Sequence, residues 1–122
     1  LGLIRLDAAG VSRDPTVVRD YESDPLVFHG RMTVGQLREM FAAMDRVVRE
    51  AGAISLPMLV LHGEADQMTD PQGSRQLFEL VVSADKSLTI YPGLYHEIFN
   101  EPEKLSVYTE VLDWCDQRVV AG

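Results

Sequence analysis

Apolar positions along this chain fall into two patterns. From Thr33 to Ala51 they recur every three or four residues. Val34, Leu37, Phe41, Met44 and Val48 make one stripe, and Arg38, Glu39, Asp45, Arg46 and Arg49 lie mostly off it. That spacing predicts an amphipathic helix. Thr33 and Gln36 form a capping box at its start, and Ala51-Gly52 supplies a stop. From Met58 to Leu61 the apolar run is continuous, as suits a strand covered on both faces of a parallel sheet. Asp70-Pro71 then predicts an N-cap with Pro at the first helical position, followed by a helix turning Leu77, Leu80 and Val81 inward. Asp85-Lys86 reads as a turn, and Leu88 to Tyr91 as a second strand closed by Pro92-Gly93. The last helix is predicted to start near Pro102 and to bury Leu105, Tyr108, Val111 or Leu112, Cys115 and Val119.

The first part of the chain is less regular. Leu1 to Arg13 has no clean period and reads as an irregular connection. Asp14-Pro15 repeats the cap-plus-Pro start of a short helix. It should end near Ser23, because Pro25 disfavours helical backbone at Asp24. Leu26 to Arg31 reads as loop.

After Leu56 the order is strand, helix, strand, helix. This implies parallel neighbours joined by a crossover, with active groups beyond the carboxyl ends of the strands. Asp66 and His96 occupy those ends on adjacent strands, so they are predicted to meet. A buried Asp beside a His is the acid–base pair of a Ser-His-Asp hydrolase. The carboxylate orients the imidazole and stabilises the imidazolium, while the imidazole moves the proton. The plainer reading makes Asp66 a turn aspartate bonding its own loop and His96 a loop histidine satisfied by backbone. Their shared register favours the pair.

Other candidates fare worse. Asp70 reads as an N-cap, Glu64 and Glu97 as solvated loop carboxylates, His62 as a loop brace and His29 as ordinary loop. Cys115 reads as a small core residue. The three histidines are too scattered for a metal site, and none of the serines Ser12, Ser23, Ser55, Ser74, Ser83, Ser87 or Ser106 sits in a G-x-S-x-G elbow. In α/β-hydrolases the triad runs Ser, Asp, His along the chain, so the serine is expected upstream of Leu1.

Composition narrows the function class. The chain of 122 residues is 46% hydrophobic and 25% charged, with a formal net charge of −8. Such an acidic surface repels phosphate backbones, which argues against nucleic-acid binding. No apolar run approaches the roughly 18 residues of a membrane span. Nothing at the N-terminus has the layout of a signal peptide, and no initiator Met is present, which suggests that something precedes Leu1. The single cysteine excludes an internal disulfide and fits a cytoplasmic setting.

The stretch from Leu56-Pro57 through Asp70-Pro71 and Gly73 resembles the acid loop of monoacylglycerol lipases and their lysophospholipase-like relatives. So does Asp85-Lys86-Ser87-Leu88-Thr89-Ile90-Tyr91-Pro92-Gly93-Leu94-Tyr95-His96-Glu97, with Asn100-Glu101 following. Ser12-Arg13-Asp14-Pro15 through Tyr21, then Asp24-Pro25-Leu26-Val27, is similar to the family's stretch after the cap. The resemblance implies an α/β fold: the C-terminal part of an α/β-hydrolase, parallel strands with covering helices. Residues 1–32 would be the connection following the cap, and residues 33–122 the C-terminal part of the core.

It further implies a catalytic Asp at Asp66 and a catalytic His at His96. The reaction would be hydrolysis of monoacylglycerols, or of lysophospholipids, through an acyl-enzyme, with no cofactor or metal. The expected partners are a lipid ester and the missing N-terminal half, which would cover the apolar surface and sheet edge left bare here. The segment alone is expected to be inactive, and the complete enzyme cytoplasmic and peripheral at membranes. Two rival readings use the same residues. One is a truncated, non-catalytic fragment or interaction module. The other is an epoxide hydrolase or dehalogenase with an Asp nucleophile at the elbow; the Tyr95-His96 context favours the lipase branch.

Overall fold

A computed structural model describes residues 2–119. Its centre is a parallel pair of strands, β3 (Met58–Gly63) and β4 (Lys86–Tyr91), in register from Met58 opposite Lys86 to Gly63 opposite Tyr91. Helix α3 (Pro71–Leu80) connects them and packs on both. Asp70 caps it, accepting from the Gln72 amide at 2.8 Å. At its other end the Lys86 Nζ donates to the Phe78 and Val81 carbonyls at 2.6 and 2.7 Å, placing a cation where the helix carbonyls are unpaired. Val81 is buried and Leu77 and Leu80 half-buried, so this helix faces inward as its spacing predicts.

Helix α1 (Pro15–Ser23) begins and ends where Asp14-Pro15 and Pro25 place it. Helix α2 (Val34–Glu50) opens with the capping box: the Gln36 amide donates to Thr33 Oγ1 at 3.2 Å, and the Thr33 amide to Gln36 Oε1 at 2.8 Å. Of its apolar stripe only Leu37 is buried; Val34, Phe41, Met44 and Val48 are exposed, because no described element covers that face.

Two expectations are corrected. Leu1 to Arg13 is not uniformly irregular. Strand β1 (Gly2–Ile4) pairs antiparallel with β2 (Met32–Thr33), and a 3-10 turn follows at Ala8–Gly10, capped by Asp7; residue 1 lies outside the described residues. Helix α4 (Lys104–Val119) buries a different face from the predicted one. Its inward residues are Val107, Glu110, Val111, Trp114 and Arg118, while Leu105, Tyr108, Leu112, Cys115 and Val119 are exposed. Polar anchors decide this orientation. Glu110 accepts from the Thr89 and Tyr91 hydroxyls of β4, and burial beside that carboxylate pushes the Tyr91 phenol well above its ordinary value. Arg118 pairs with Asp85 and stacks on Trp114, 3.8 Å from the ring centre. Cys115 is therefore an outward residue rather than a core one.

The small core lies directly beneath the site. Leu94, Ile98 and Val107 pack together with Leu61 and Tyr91, so the end of β3, the loop after β4 and α4 share one cluster.

Candidate active site

Strand β3 ends at Gly63, and the loop after it is stitched to the loop after β4. The Glu64 amide donates to the Tyr91 carbonyl at 2.9 Å and the Ala65 amide to the Leu94 carbonyl at 3.0 Å. Gly63 is required by this approach: a Cβ there would lie 2.3 Å from the Tyr95 oxygen and 2.4 Å from the Leu94 oxygen. Gly93, at φ +74°, turns the second loop back toward the first.

The two loops bring Asp66 and His96 together. His96 Nδ1 lies 2.8 Å from Asp66 Oδ2, so the meeting predicted from strand order occurs. The Asp66 side chain is 2% exposed and that of His96 38%, so the acid is inside and the imidazole looks out. Asp66 is fully engaged. Oδ1 accepts from the Met68 and Thr69 amides at 2.7 and 3.1 Å, and Oδ2 also accepts from the Thr69 hydroxyl at 2.7 Å. With Nδ1–H donated to the carboxylate, His96 presents its Nε2 lone pair, the arrangement of a general base. A cavity of about 350 Å³ opens beside it, with His62, Asp66, Thr69, His96, Ile98 and Phe99 among its walls.

Burial pushes the Asp66 carboxyl up, but the hydrogen bonds from His96, Thr69 and the two amides outweigh it and hold the value down at about 2. The drop from 3.8 corresponds to about 2 kcal/mol of stability. Because the folded value is the lower one, this stabilisation is present above the ordinary carboxylate range and is lost as pH falls toward 2. A carbon NMR titration of the Asp66 carboxyl is expected to show a midpoint near the bottom of the accessible range; a midpoint above 4 would contradict these bonds.

Residues 3–103 match the family described as "Serine aminopeptidase, S33". The chain belongs to that α/β-hydrolase family. The segment is 45% identical to a monoacylglycerol lipase of Mycolicibacterium smegmatis over 89% of its own length and 39% of the relative's. It is 38% identical to a human monoglyceride lipase over 100% of its length and 41% of that protein's. The crystal structure of Paleococcus ferrophilus monoacylglycerol lipase superposes with a TM-score of 0.85 at 39% identity, covering 93% of this chain and 45% of that one. The chain thus spans about two fifths of the length of the curated relatives it matches.

The other candidates settle around this pair. Asp70 is the α3 cap, Glu64 is exposed, and His29 lies edge-on to the Tyr21 ring. Glu97 is half-buried rather than solvated and accepts from the Asn100 amide at 2.8 Å. His62 braces the acid loop as expected. Its Nε2 lies 3.1 Å from the Thr69 carbonyl, and its Nδ1 lies 2.6 Å from Ser74 Oγ. It also stands 3.1 Å from Asp66 Oδ2, which the sequence reading did not foresee. Among the described residues no group of three or more His, Cys, Asp or Glu is placed to hold a metal ion.

Sequence reasoning missed Glu101, which has 0% exposure. Its carboxylate accepts from Ser12 Oγ, the Arg13 amide and Arg13 Nε, each at 2.6 Å, and from the Tyr95 amide at 3.1 Å. Burial raises the carboxyl, and these bonds more than reverse it, holding Glu101 below its ordinary value. Glu101 thereby clamps the residue before His96 to the Ser12-Arg13 segment, and the Glu97 amide adds a bond to the Val11 carbonyl at 2.8 Å. Only the Asn100-Glu101 match to the lipases pointed there, because no local pattern links positions 13 and 101. Glu101→Gln is expected to cost about 1–3 kcal/mol, because its amide NH₂ would face donors that now give to a buried carboxylate oxygen, read as a fall in the urea midpoint; a midpoint equal to wild type would contradict the clamp.

Proposed function

We propose that this segment supplies the acid and the general base of a serine ester hydrolase whose nucleophile lies upstream of Leu1. One observation carries the reading: a buried, hydrogen-bonded Asp66 holds His96 by Nδ1 at the wall of an open cavity, which leaves Nε2 outside that bond. His96 takes the proton as the serine oxygen attacks the acyl carbonyl. It returns that proton to the departing alcohol as the tetrahedral adduct collapses to an acyl-enzyme. It then takes a proton from the attacking water and returns it to the serine oxygen as the second adduct collapses, which releases the fatty acid and restores the serine. Asp66 stays ionised throughout and stabilises the imidazolium.

Monoacylglycerol is the favoured substrate, because relatives at 45% and 38% identity are named for it; lysophospholipid is second. The outward apolar residues of α2 and α4 favour association with the rest of the fold. Initial rates of the complete hydrolase on a monoacylglycerol, a lysophospholipid and an aminoacyl anilide test the substrate class. Fastest turnover of the monoacylglycerol is expected; preference for the anilide would favour the peptidase chemistry in the family's description.

A further inference from the structure

We propose that His62, oriented by Ser74, is a positioning residue for the Asp66–His96 pair. The role rests on the function proposed above; the contacts do not. His62 lies on β3 opposite Ile90, on the rigid strand rather than in the acid loop. Its Nε2 faces two acceptors and no donor that could satisfy a bare lone pair well: the Thr69 carbonyl and Asp66 Oδ2 each lie 3.1 Å away, and the Thr69 hydroxyl, already given to Asp66, lies 3.4 Å away. Nε2 therefore carries a proton. In the neutral ring Nδ1 is then the acceptor, and Ser74 Oγ, 2.6 Å away on α3, donates to it. Ser74 thus fixes the tautomer that the acid loop needs.

The Nε2–H is directed at the Thr69 carbonyl. Thr69 in turn holds both oxygens of Asp66, Oδ1 through its amide at 3.1 Å and Oδ2 through its hydroxyl at 2.7 Å. The same polar edge of the ring faces Oδ2, the oxygen that accepts from His96. With the His62 side chain 13% exposed and that of Asp66 2%, the approach to Oδ2 lies in a poorly solvated setting where dipoles count for more than in water. The strand and helix thereby pin the carboxylate at the angle that presents His96 to the cavity. His62 and Thr69 themselves border the cavity, but their polar atoms are committed to Ser74, to each other and to Asp66, so loss of the relay should act mainly on turnover.

The test uses the complete hydrolase. His62→Leu is expected to lower kcat roughly 10–100-fold, the range found when a partner orienting an active group is lost, with KM unchanged. His62→Gln returns an N–H near the Nε2 position and should recover much of the loss. Nitrogen-labelled histidine spectra should show His62 protonated at Nε2 and the His96 Nδ1–H resonance displaced in His62→Leu, a change that a merely structural brace would not produce. Ser74→Ala, which leaves the ring in place, should mix the His62 tautomers and lower kcat, and it decides the matter if His62→Leu fails to fold. A His62 protonated only at Nδ1, unchanged kcat in folded His62→Leu or in Ser74→Ala, or no recovery in His62→Gln would overturn the proposal. Wild-type protein that hydrolyses no ester would instead remove the function on which the role rests, while the tautomer spectra still judge the contact.

Discussion

Asp66→Asn is expected to cut kcat of the complete hydrolase about 10⁴-fold with little change in KM. The substitution keeps the shape of the side chain, and Oδ1 can still accept from Met68 and Thr69. The other oxygen, which accepts from the His96 Nδ1 and the Thr69 hydroxyl, is replaced by an NH₂ that can only donate. The imidazole must then turn Nδ1 into the acceptor and carry its proton on Nε2. In that tautomer it cannot take the serine proton, and the imidazolium loses its counter-charge. Steady-state kinetics on a monoacylglycerol checks this, with circular dichroism to show that the fold is kept. A loss below tenfold in folded protein would mean that Asp66 is a loop aspartate and nothing more.

The second large effect is structural. Gly63→Ala is expected to destabilise the fold by roughly 3 kcal/mol or more, at the upper end for overpacked sites. The added methyl would meet the Leu94 and Tyr95 carbonyl oxygens inside 2.5 Å, and both are backbone atoms of a loop already bonded to Ala65. The strand end and the histidine loop would have to part, which pulls Asp66 from His96. Gly93→Ala is the contrast. Nothing lies within 4 Å of a Cβ there, so only the φ of +74° is penalised, at about 1–2 kcal/mol. Urea unfolding of both variants checks the order; equal midpoints would contradict the close approach at Gly63.

The local signals in the sequence proved sound where one short segment decides the outcome. The Thr33–Gln36 box, the Asp14-Pro15 and Asp70-Pro71 caps and the unbroken Met58–Leu61 run each fix their element with neighbours a few residues away. The placement of Asp66 against His96 was legible because two parallel strands with one crossover leave little choice about which loops adjoin. What was not legible depends on distant partners. Apolar spacing alone chose the wrong face of α4, since Glu110 and Arg118 turn inward only because Thr89, Tyr91 and Asp85 await them. Ser12, Arg13 and Glu101 look like surface polar residues until the fold joins them across some ninety positions. The same holds for His62: its place at the strand end suggests a loop brace, and only the structure shows that the brace bears on the acid.

Fluorophosphonate labelling with peptide mapping, on the complete hydrolase and its His96→Ala variant, tests the central claim most directly. The account predicts a single adduct on a serine upstream of residue 1, lost or slowed by orders of magnitude in His96→Ala. An adduct on a serine within these 122 residues, or labelling indifferent to His96, would contradict it.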